Sequence, residues 1–548
     1  MNSNTEYDLI VIGSGVAGGI VAYHVAKQNL KVLILEAGPR LDRGQLIETF
    51  RHSARKDSMA PYPKLSYAPQ ADPVGQPDYL IYKSHPYHTA YVRAVGGATL
   101  HWGGISWRFV TKDFKLRSHY GVGRDWPIDY TDLEPYYQQA ELEIGVAGVS
   151  INALDQPRSA PFPLPPVPFS YMDQQLHKGL YRAGFNYVPE PAARNTRPYD
   201  SRPPCCGSNS CIPICPTGAQ YTGVVHIDKA EAAGAALITN AVVYKLEDAV
   251  VNGQSTLVKV HYKTPDGKSH AVRGKQFVIA ANAIETPKLM LMSKSTAYPN
   301  GVGNSSGLVG RNLMDHPATG AEFTLKEPVY SGRGPITIGA IVNYLDGEFR
   351  SKLAAKKISV GNSQFAPSVA NELIEQGLAG KELKQQVAYL ANRKVGSYTM
   401  HEQLPNPNNR VTLSKTKFDA LGLPHPEIYW SIDEYEYQSA LETKQLYEKI
   451  AKLIGAVEHQ VIFELVSDAH SMGTTIMGRD KTDSVVDQNC RCHDLDNLYI
   501  AGSAVFPSGS AVNPTLTIAA LSGRLADHLV EKLAKRSFNH DSMAPERR

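Results

Sequence analysis

The chain has 548 residues, 42% hydrophobic and 20% charged, with a formal net charge of +3. That length exceeds what one hydrophobic core spans, so two or more interlocked domains are expected, and the composition is globular rather than disordered or fibrous. A small net charge without a dense Lys/Arg run excludes a nucleic-acid-binding stripe.

The most apolar stretch, Leu9 to Ala26, reads as neither export signal nor membrane span. Glu6 and Asp8 precede it, no Lys or Arg does, and Gly13, Gly15, Gly18 and Gly19 interrupt it. No other segment offers ~20 uninterrupted apolar residues. The expectation is a chain with no anchor or export signal of its own, compatible with a membrane-bound partner or export alongside another subunit.

In chain order, YDLIVI predicts a buried strand, GSGVAGG a turn, the following residues a helix to about Gln28, and KVLILE a second strand. Together they are a βαβ unit. Residues 40–125 read as long ordered loops around one glycine-dense segment, VGGATLHWGG. Residues 154–168 are a proline-rich extended connection. Four of six cysteines then fall close together: Cys205, Cys206, Cys211 and Cys215. Residues 235–247 and 275–292 predict strands, the second leading into a helix. Residues 326–455 differ in character, with polar turns, strand-like pieces and amphipathic helices near 371–394 and 434–454. From 465 onward the earlier style returns, with strand NLYIAG, helix PTLTIAALSGRLADHLVEKL and a polar tail at 536–548.

The predicted fold class is therefore α/β (α+β overall). A Rossmann-like domain is assembled from discontinuous segments, 1–325 and 456–535, with an insertion around 200–220. Residues 326–455 form a substrate domain with an antiparallel sheet and flanking helices.

Gly13-Ser-Gly15-Val-Ala-Gly18 supplies a dinucleotide fingerprint in the right context. Gly13 permits the tight turn, Gly15 admits the pyrophosphate, and Gly18 lets helix pack on sheet; Val16 and Ala17 lie at the helix N-terminus, where free N–H groups face phosphate. Glu36, followed by Ala37, closes the second strand where an acid accepts a ribose 2′-OH and disfavours a 2′-phosphate. A glycine-rich turn alone also occurs in unrelated α/β proteins. Here strand, helix, second strand and acid are all in place. The far N-terminal fingerprint, with later segments completing the same domain, favours FAD over NAD.

DLIVIGSGVAGG, VGGATLHWGG, GRNLMDHP, HSMGTTIMG and NLYIAGSAVFPSGSAVNPTLTIAAL resemble the signature blocks of the glucose-methanol-choline (GMC) oxidoreductases, and the resemblance runs nearly end to end. GRDWPIDYTDLEPYY and the cysteine-bearing ARNTRPYDSRPPCCGSNSCIPICPTGA resemble a subgroup, the large catalytic subunits of bacterial membrane-bound FAD sugar dehydrogenases of glucose or fructose dehydrogenase type. The resemblance implies His470 and Asn513 as the catalytic pair: a base must withdraw the hydroxyl proton as hydride leaves the alcohol carbon, and neutral imidazole suits that near pH 7. Asn513 before Pro514 and Thr515 is equally a good helix N-cap, and both roles can coexist.

Further FAD contacts implied are Gly96, Gly97, Thr99, His101 and Gly103 in the glycine-dense block. Val242, Ala280 and Ala281 join them from the middle of the chain, and Gly502, Ser503, Asn513, Pro514 and Thr515 from its end. Some relatives attach FAD through a histidine in a similar block, which makes His101 the candidate for a covalent link. Cys205, Cys211 and Cys215, spaced C-x5-C-x3-C-P, suit three ligands of a [3Fe-4S] cluster, as the subgroup carries. A zinc site using Cys206 or His226, or a pair of disulfides, remain alternatives. Cys490 and Cys492 read as structural, and His401 and Glu402 as lining the sugar site.

The expected activity is oxidation of a sugar or polyol, with electrons leaving through the cluster to a multihaem cytochrome c subunit. A small subunit would carry the export signal, placing the enzyme on the periplasmic side of the bacterial cytoplasmic membrane (cytoplasmic if unpartnered). The rivals are a soluble oxidase reducing O₂ and a non-catalytic electron-transfer subunit. The sequence does not specify which sugar.

Overall fold

A computed structural model describes residues 5–541 apart from 55, 152, 153 and 252, with only the backbone helix described over 536–541. The strand Glu6–Ile12 lies at the centre of a seven-stranded sheet. It pairs in parallel with Val32–Leu35 on one side and Ser269–Ile279 on the other. Ala236–Ile238 extends the sheet beyond Val32–Leu35. Leu498–Ile500 joins Ser269–Ile279 in parallel, and the antiparallel ribbon Val242–Val251 and Gln254–Lys263 completes it. One sheet thus gathers strands from both ends and the middle of the chain. A sequence alternating strand and crossover helix folds this way because parallel neighbours need a long connection between them.

The apolar run from Leu9 is spent inside this domain. Leu9, Ile10 and Val11 are fully buried in the sheet, and Ile20, Val21, Ala22 and Val25 of the helix Val16–Ala26 are buried against it. Each large aliphatic side chain so buried contributes ~1.5–3 kcal/mol. Among the described residues no helix is long and apolar enough to cross a membrane.

The second sheet has six antiparallel strands in the order Ala456–Ser467, Pro317–Leu325, Lys394–His401, Lys356–Gly361, Thr337–Ile341 and Tyr187–Pro189. It reaches beyond residues 326–455 on both sides and recruits a strand from far upstream, because each antiparallel edge finds its partner in space. Alternation along the strands gives the sheet two unlike faces. Phe323, Ile341, Ile358, Val360 and Val395 pack with Leu176, Leu180, Tyr447 and Ile450 from the helices Tyr171–Arg182 and Glu434–Ile454. Lys357 and Ser359 point the other way, Lys357 toward Asn513 near the chain's end and Ser359 toward Glu190.

Three elements differ from the sequence reading. The helix near 371–394 is two, Ala366–Glu375 and Gly380–Ala391, broken at Gly377 with φ +88°. The strand 235–247 is split by Asn240, whose φ of +53° turns the chain. The last helix continues to Asp541, into the expected polar tail, and 542–548 lie outside the described residues.

Candidate active site

The glycine turn sits where the first strand ends. Gly13 has φ +104°, and a Cβ there would stand 2.5 Å from the Ala280 carbonyl oxygen. A Cβ on Gly18 would lie 2.0 Å from the Gly13 carbonyl oxygen. Around Gly15 there is open space, with nothing within 4 Å of a would-be Cβ. Close packing at Gly13 and Gly18 beside a gap at Gly15 is the shape a pyrophosphate needs at a helix N-terminus. Gly97 closes on this turn, and Gly96 N–H donates to the Ser14 carbonyl at 3.1 Å.

Glu36 is buried and accepts from Ser14 N (3.0 Å), Ser14 Oγ (2.5 Å) and Gly38 N (3.0 Å). Burial raises its pKa, opposed by those donors. It therefore braces the glycine turn through Oε2, while Oε1, which accepts only the Gly38 N–H, keeps a lone pair for a ribose hydroxyl. Ala241 N–H donates to the Glu36 carbonyl, and Val242 packs in one cluster with Ala37. Ala280 N–H donates to Ile12 O, which puts Ala280 and Ala281 at the same strand ends. Thr99 Oγ1 binds Gly96 O and receives Gly223 N–H. His101 is 8% exposed, its Nε2 has no partner in the protein, and burial lowers its pKa to about 4. An orphaned buried ring nitrogen and an open glycine cradle in one domain fit a bound flavin dinucleotide.

His470 follows the strand Ala456–Ser467. Ala469 before it takes φ +56°, a conformation costing an L-residue ~1–3 kcal/mol and typical of positions held for function. Asp315 fixes this turn: its Oδ1 accepts from the backbone N–H of His470 (3.0 Å), His316 (2.7 Å) and Asp468 (3.1 Å). Tyr87 OH donates to its Oδ2 at 2.7 Å. Burial pushes Asp315 up to about 6 despite these donors.

The imidazole protonation follows from hydrogen-bond logic. His316 Nε2 lies 2.6 Å from the Ser510 carbonyl, which can only accept, so that nitrogen carries a proton. Burial lowers the His316 pKa to about 4, so its Nδ1 is a bare lone pair. His470 Nδ1, 3.0 Å away, must then donate to it. Asp468 Oδ2, 3.4 Å from the same Nδ1, favours the same tautomer. His470 Nε2 is consequently unprotonated, 3.3 Å from Asn513 Nδ2. Burial, His316 and Lys357, in that order, hold the His470 pKa well below the ordinary imidazole value. Its side chain keeps 20% exposure, so a small molecule can reach it. Ser503 Oγ donates to Ser471 O, and Gly473 N–H to Ser503 O, tying the Gly502–Ser503 loop to this centre.

The expected pair His470 and Asn513 is thus brought together across 43 positions. His316 and Asp315 were missed as functional residues, although both lie within GRNLMDHP. His401 and Glu402 do not line an open site, which corrects that expectation. Both are fully buried. His401 is bound to Ser439 and Thr319, and Glu402 is paired with Arg350.

All six cysteines are free thiols, which removes the disulfide reading. His226 is spent on Tyr221 OH (2.7 Å) and Glu143 (3.1 Å), which removes it as a zinc ligand. Among the described residues, no three His, Cys, Asp or Glu side chains stand close enough to hold a metal ion. The cysteine loop is therefore not a preformed single-ion site. Burial raises the pKa of the Cys205 thiol, which lies within electrostatic reach of Cys211, Cys215 and the Arg194 cation. Arg194 is 1% exposed, and its Nε and Nη1 find no acceptor. The Arg194 cation thus acts on Cys205 while two of its donor groups remain unpaired in the protein. The loop is fastened to the glycine-dense block: Gln220 Nε2 donates to Trp102 O (2.6 Å) and Cys211 O (3.5 Å), and Arg194 Nη2 to Gly103 O (2.8 Å).

The family model described as GMC oxidoreductase matches residues 7–318 with its N-terminal part and 405–522 with its C-terminal part. The fructose dehydrogenase large subunit of Gluconobacter japonicus is 42% identical, over 97% of this chain and 99% of that protein. The 2-methyl-1,2-propanediol dehydrogenase of Mycolicibacterium austroafricanum is 28% identical over 97% and 96%. Among solved structures, pyridoxine 4-oxidase from Mesorbium loti superposes with a TM-score of 0.63 at 16% identity, covering 95% of this chain and 99% of that one. That likeness shows the fold alone.

Proposed function

The chain belongs to the GMC oxidoreductase family, and from that premise we propose that it is an FAD-dependent dehydrogenase of a sugar or polyol hydroxyl. The observation that carries this reading is the His470 imidazole, locked with an unprotonated Nε2 beside the Asn513 amide. The flavin, when bound, supplies the hydride acceptor. His470 Nε2 takes the hydroxyl proton, and Asn513 Nδ2–H holds the alcohol oxygen beside it. Asp315 holds the His470 backbone, and His316, accepting from Nδ1, keeps the neutral imidazole in the productive tautomer. The helix beginning at Thr515 turns its positive end toward the same point. His101 is the proposed point of covalent attachment, supported by its unpartnered Nε2.

The electron exit is a second part of the proposal. Cys205, Cys211 and Cys215 are the proposed ligands of a [3Fe-4S] cluster, and binding draws their sulfurs together. The cluster, when bound, supplies one-electron steps toward a cytochrome c subunit. Support comes from the orphaned Arg194 donors and the hydrogen bonds fastening the cysteine loop to residues 102–103. A relative named as a large subunit supports partner subunits; the proposal adds that one of them is a small export subunit and that the complex is periplasmic and held at the membrane through a partner.

A dye-linked screen across aldoses, ketoses and polyols tests the activity. The expected result is dye reduction by at least one sugar or polyol without stoichiometric peroxide. No response to any of them, or peroxide matching substrate consumed, removes the dehydrogenase reading. Iron and acid-labile sulfide are expected in the purified protein and absent from Cys211→Ser, whose flavin substrate still reduces. A wild-type protein without iron rejects the cluster.

A further inference from the structure

The amide of Asn513 has two chemically opposite ends, and only one orientation serves an alcohol oxidase or dehydrogenase. With Nδ2 toward His470 it donates into the base's lone pair and can donate to the substrate oxygen. With Oδ1 there, two lone pairs would face each other. What decides the orientation comes from the other domain. Lys357, on the strand Lys356–Gly361, reaches Asn513 Oδ1 with its Nζ at 2.8 Å. An ammonium has donors only, so the atom it touches must be the carbonyl oxygen however the amide is drawn. The His470 tautomer follows again, now from the opposite side: a donated N–H requires a bare Nε2. Two independent chains, one from Ser510 through His316 and one from Lys357 through Asn513, meet at the same lone pair.

Lys357 is itself fully buried, which demands a partner. Glu190, also fully buried, forms an ion pair with it. Glu190 is held in turn by Trp107 Nε1 at 2.9 Å and Ser359 Oγ at 3.1 Å. Lys357 on the six-stranded sheet and Glu190 directly after its edge strand tie that sheet to the glycine-turn domain through Asn513 and Trp107. Among the described residues Asn513 is the only proposed catalytic side chain hydrogen-bonded to the pair.

We propose that the buried Lys357–Glu190 pair is a positioning device for catalysis, fixing the Asn513 amide with its NH₂ toward His470 and the substrate oxygen. This rests on the reading that His470 and Asn513 face the alcohol. Removing both charges, Lys357→Met with Glu190→Gln, avoids stranding a lone buried ion. Holoprotein of wild type, this variant, Asn513→Ala and their combination is mixed anaerobically with D-fructose, or with the best substrate of the dye screen. The expected result is a drop of ~10-fold or more in the flavin-reduction rate constant, with a smaller change in apparent Kd. In the Asn513→Ala background the same change is expected to have no further effect. An undiminished effect there would show that the pair acts elsewhere and overturn the proposal.

A second readout needs no substrate. The ¹⁵N imidazole signals of His470, assigned by difference with His470→Gln, are expected to show the Nδ1–H tautomer in both proteins, because His316 still accepts from Nδ1, with the Nε2 resonance shifted in the variant as it loses the Asn513 donor. An unchanged Nε2 resonance and unchanged rate in the variant refute the device. A wild type that no sugar reduces refutes the substrate reading instead, leaving the Nε2 resonance to judge the pair.

Discussion

His470→Ala is expected to lower the rate constant of flavin reduction by ~10²- to 10⁴-fold, the range general-base catalysis supplies. The hydroxyl proton then has no acceptor in place. Asn513 sits across the gap with donors and an oxygen already committed to Lys357. His316 is no substitute, because its Nε2 is bound to Ser510 O and its Nδ1 pointed at the missing ring. Asp468, pushed up to about 7 by burial and by Asp315, lies beside the ring's Nδ1 rather than the Nε2 that faces Asn513, so it is not placed to take the hydroxyl proton. Flavin content and substrate affinity should change little, because the side chain lies on a loop fixed by its backbone N–H to Asp315. A variant that retains flavin and keeps more than a tenth of the wild-type rate would remove His470 from the base role.

Gly18→Ala is expected to weaken cofactor retention although it adds only one methyl group. Its Cβ would stand 2.0 Å from the Gly13 carbonyl oxygen, and that oxygen belongs to the backbone of the turn itself. Neither side can rotate out of the way, so the helix Val16–Ala26 must retreat from the strand end. Overpacking of this kind costs ~1–3 kcal/mol, equivalent to a roughly 5- to 150-fold loss in affinity when the displaced element forms the binding site. Equilibrium dialysis of flavin, with thermal unfolding of the same preparation, measures both parts. Gly15→Ala is the instructive contrast. Its Cβ meets nothing in the protein, so thermal stability should survive while flavin is lost. Full flavin occupancy in both variants would mean that the turn does not hold the pyrophosphate.

The nucleotide domain was legible because its signals are local. A strand, a glycine turn, a helix and an acid follow one another within 36 residues; Gly18 is required by a contact with the turn itself, Gly13 by one with Ala280, and Gly15 leaves the space open. The second, antiparallel sheet with its flanking helices was legible in class but not in extent. The edge strand Tyr187–Pro189 joins Thr337–Ile341 from well over a hundred positions upstream, and no period in the sequence encodes such a pairing. The same holds for the centre. His470 and Asn513 stood out through their flanking blocks, whereas Lys357 sits in an unremarked strand 156 positions from the amide it binds. His316 lay inside a noticed block, but its role is set by a ring 154 positions away. His401 and Glu402 were misread for a related reason. Adjacent polar residues suggest a site, yet here Arg350 and Ser439 satisfy them internally, and neither partner is adjacent in sequence.

The central claim is that a sugar or polyol hydroxyl delivers its hydride to flavin at His470. The direct measurement is anaerobic mixing of the purified holoprotein with aldoses, ketoses and polyols while following the oxidised-flavin absorbance. Bleaching by at least one of them, at a rate that rises with its concentration and collapses in His470→Ala, is the predicted result. A flavin that stays oxidised with every one, or that bleaches equally fast without His470, would contradict it.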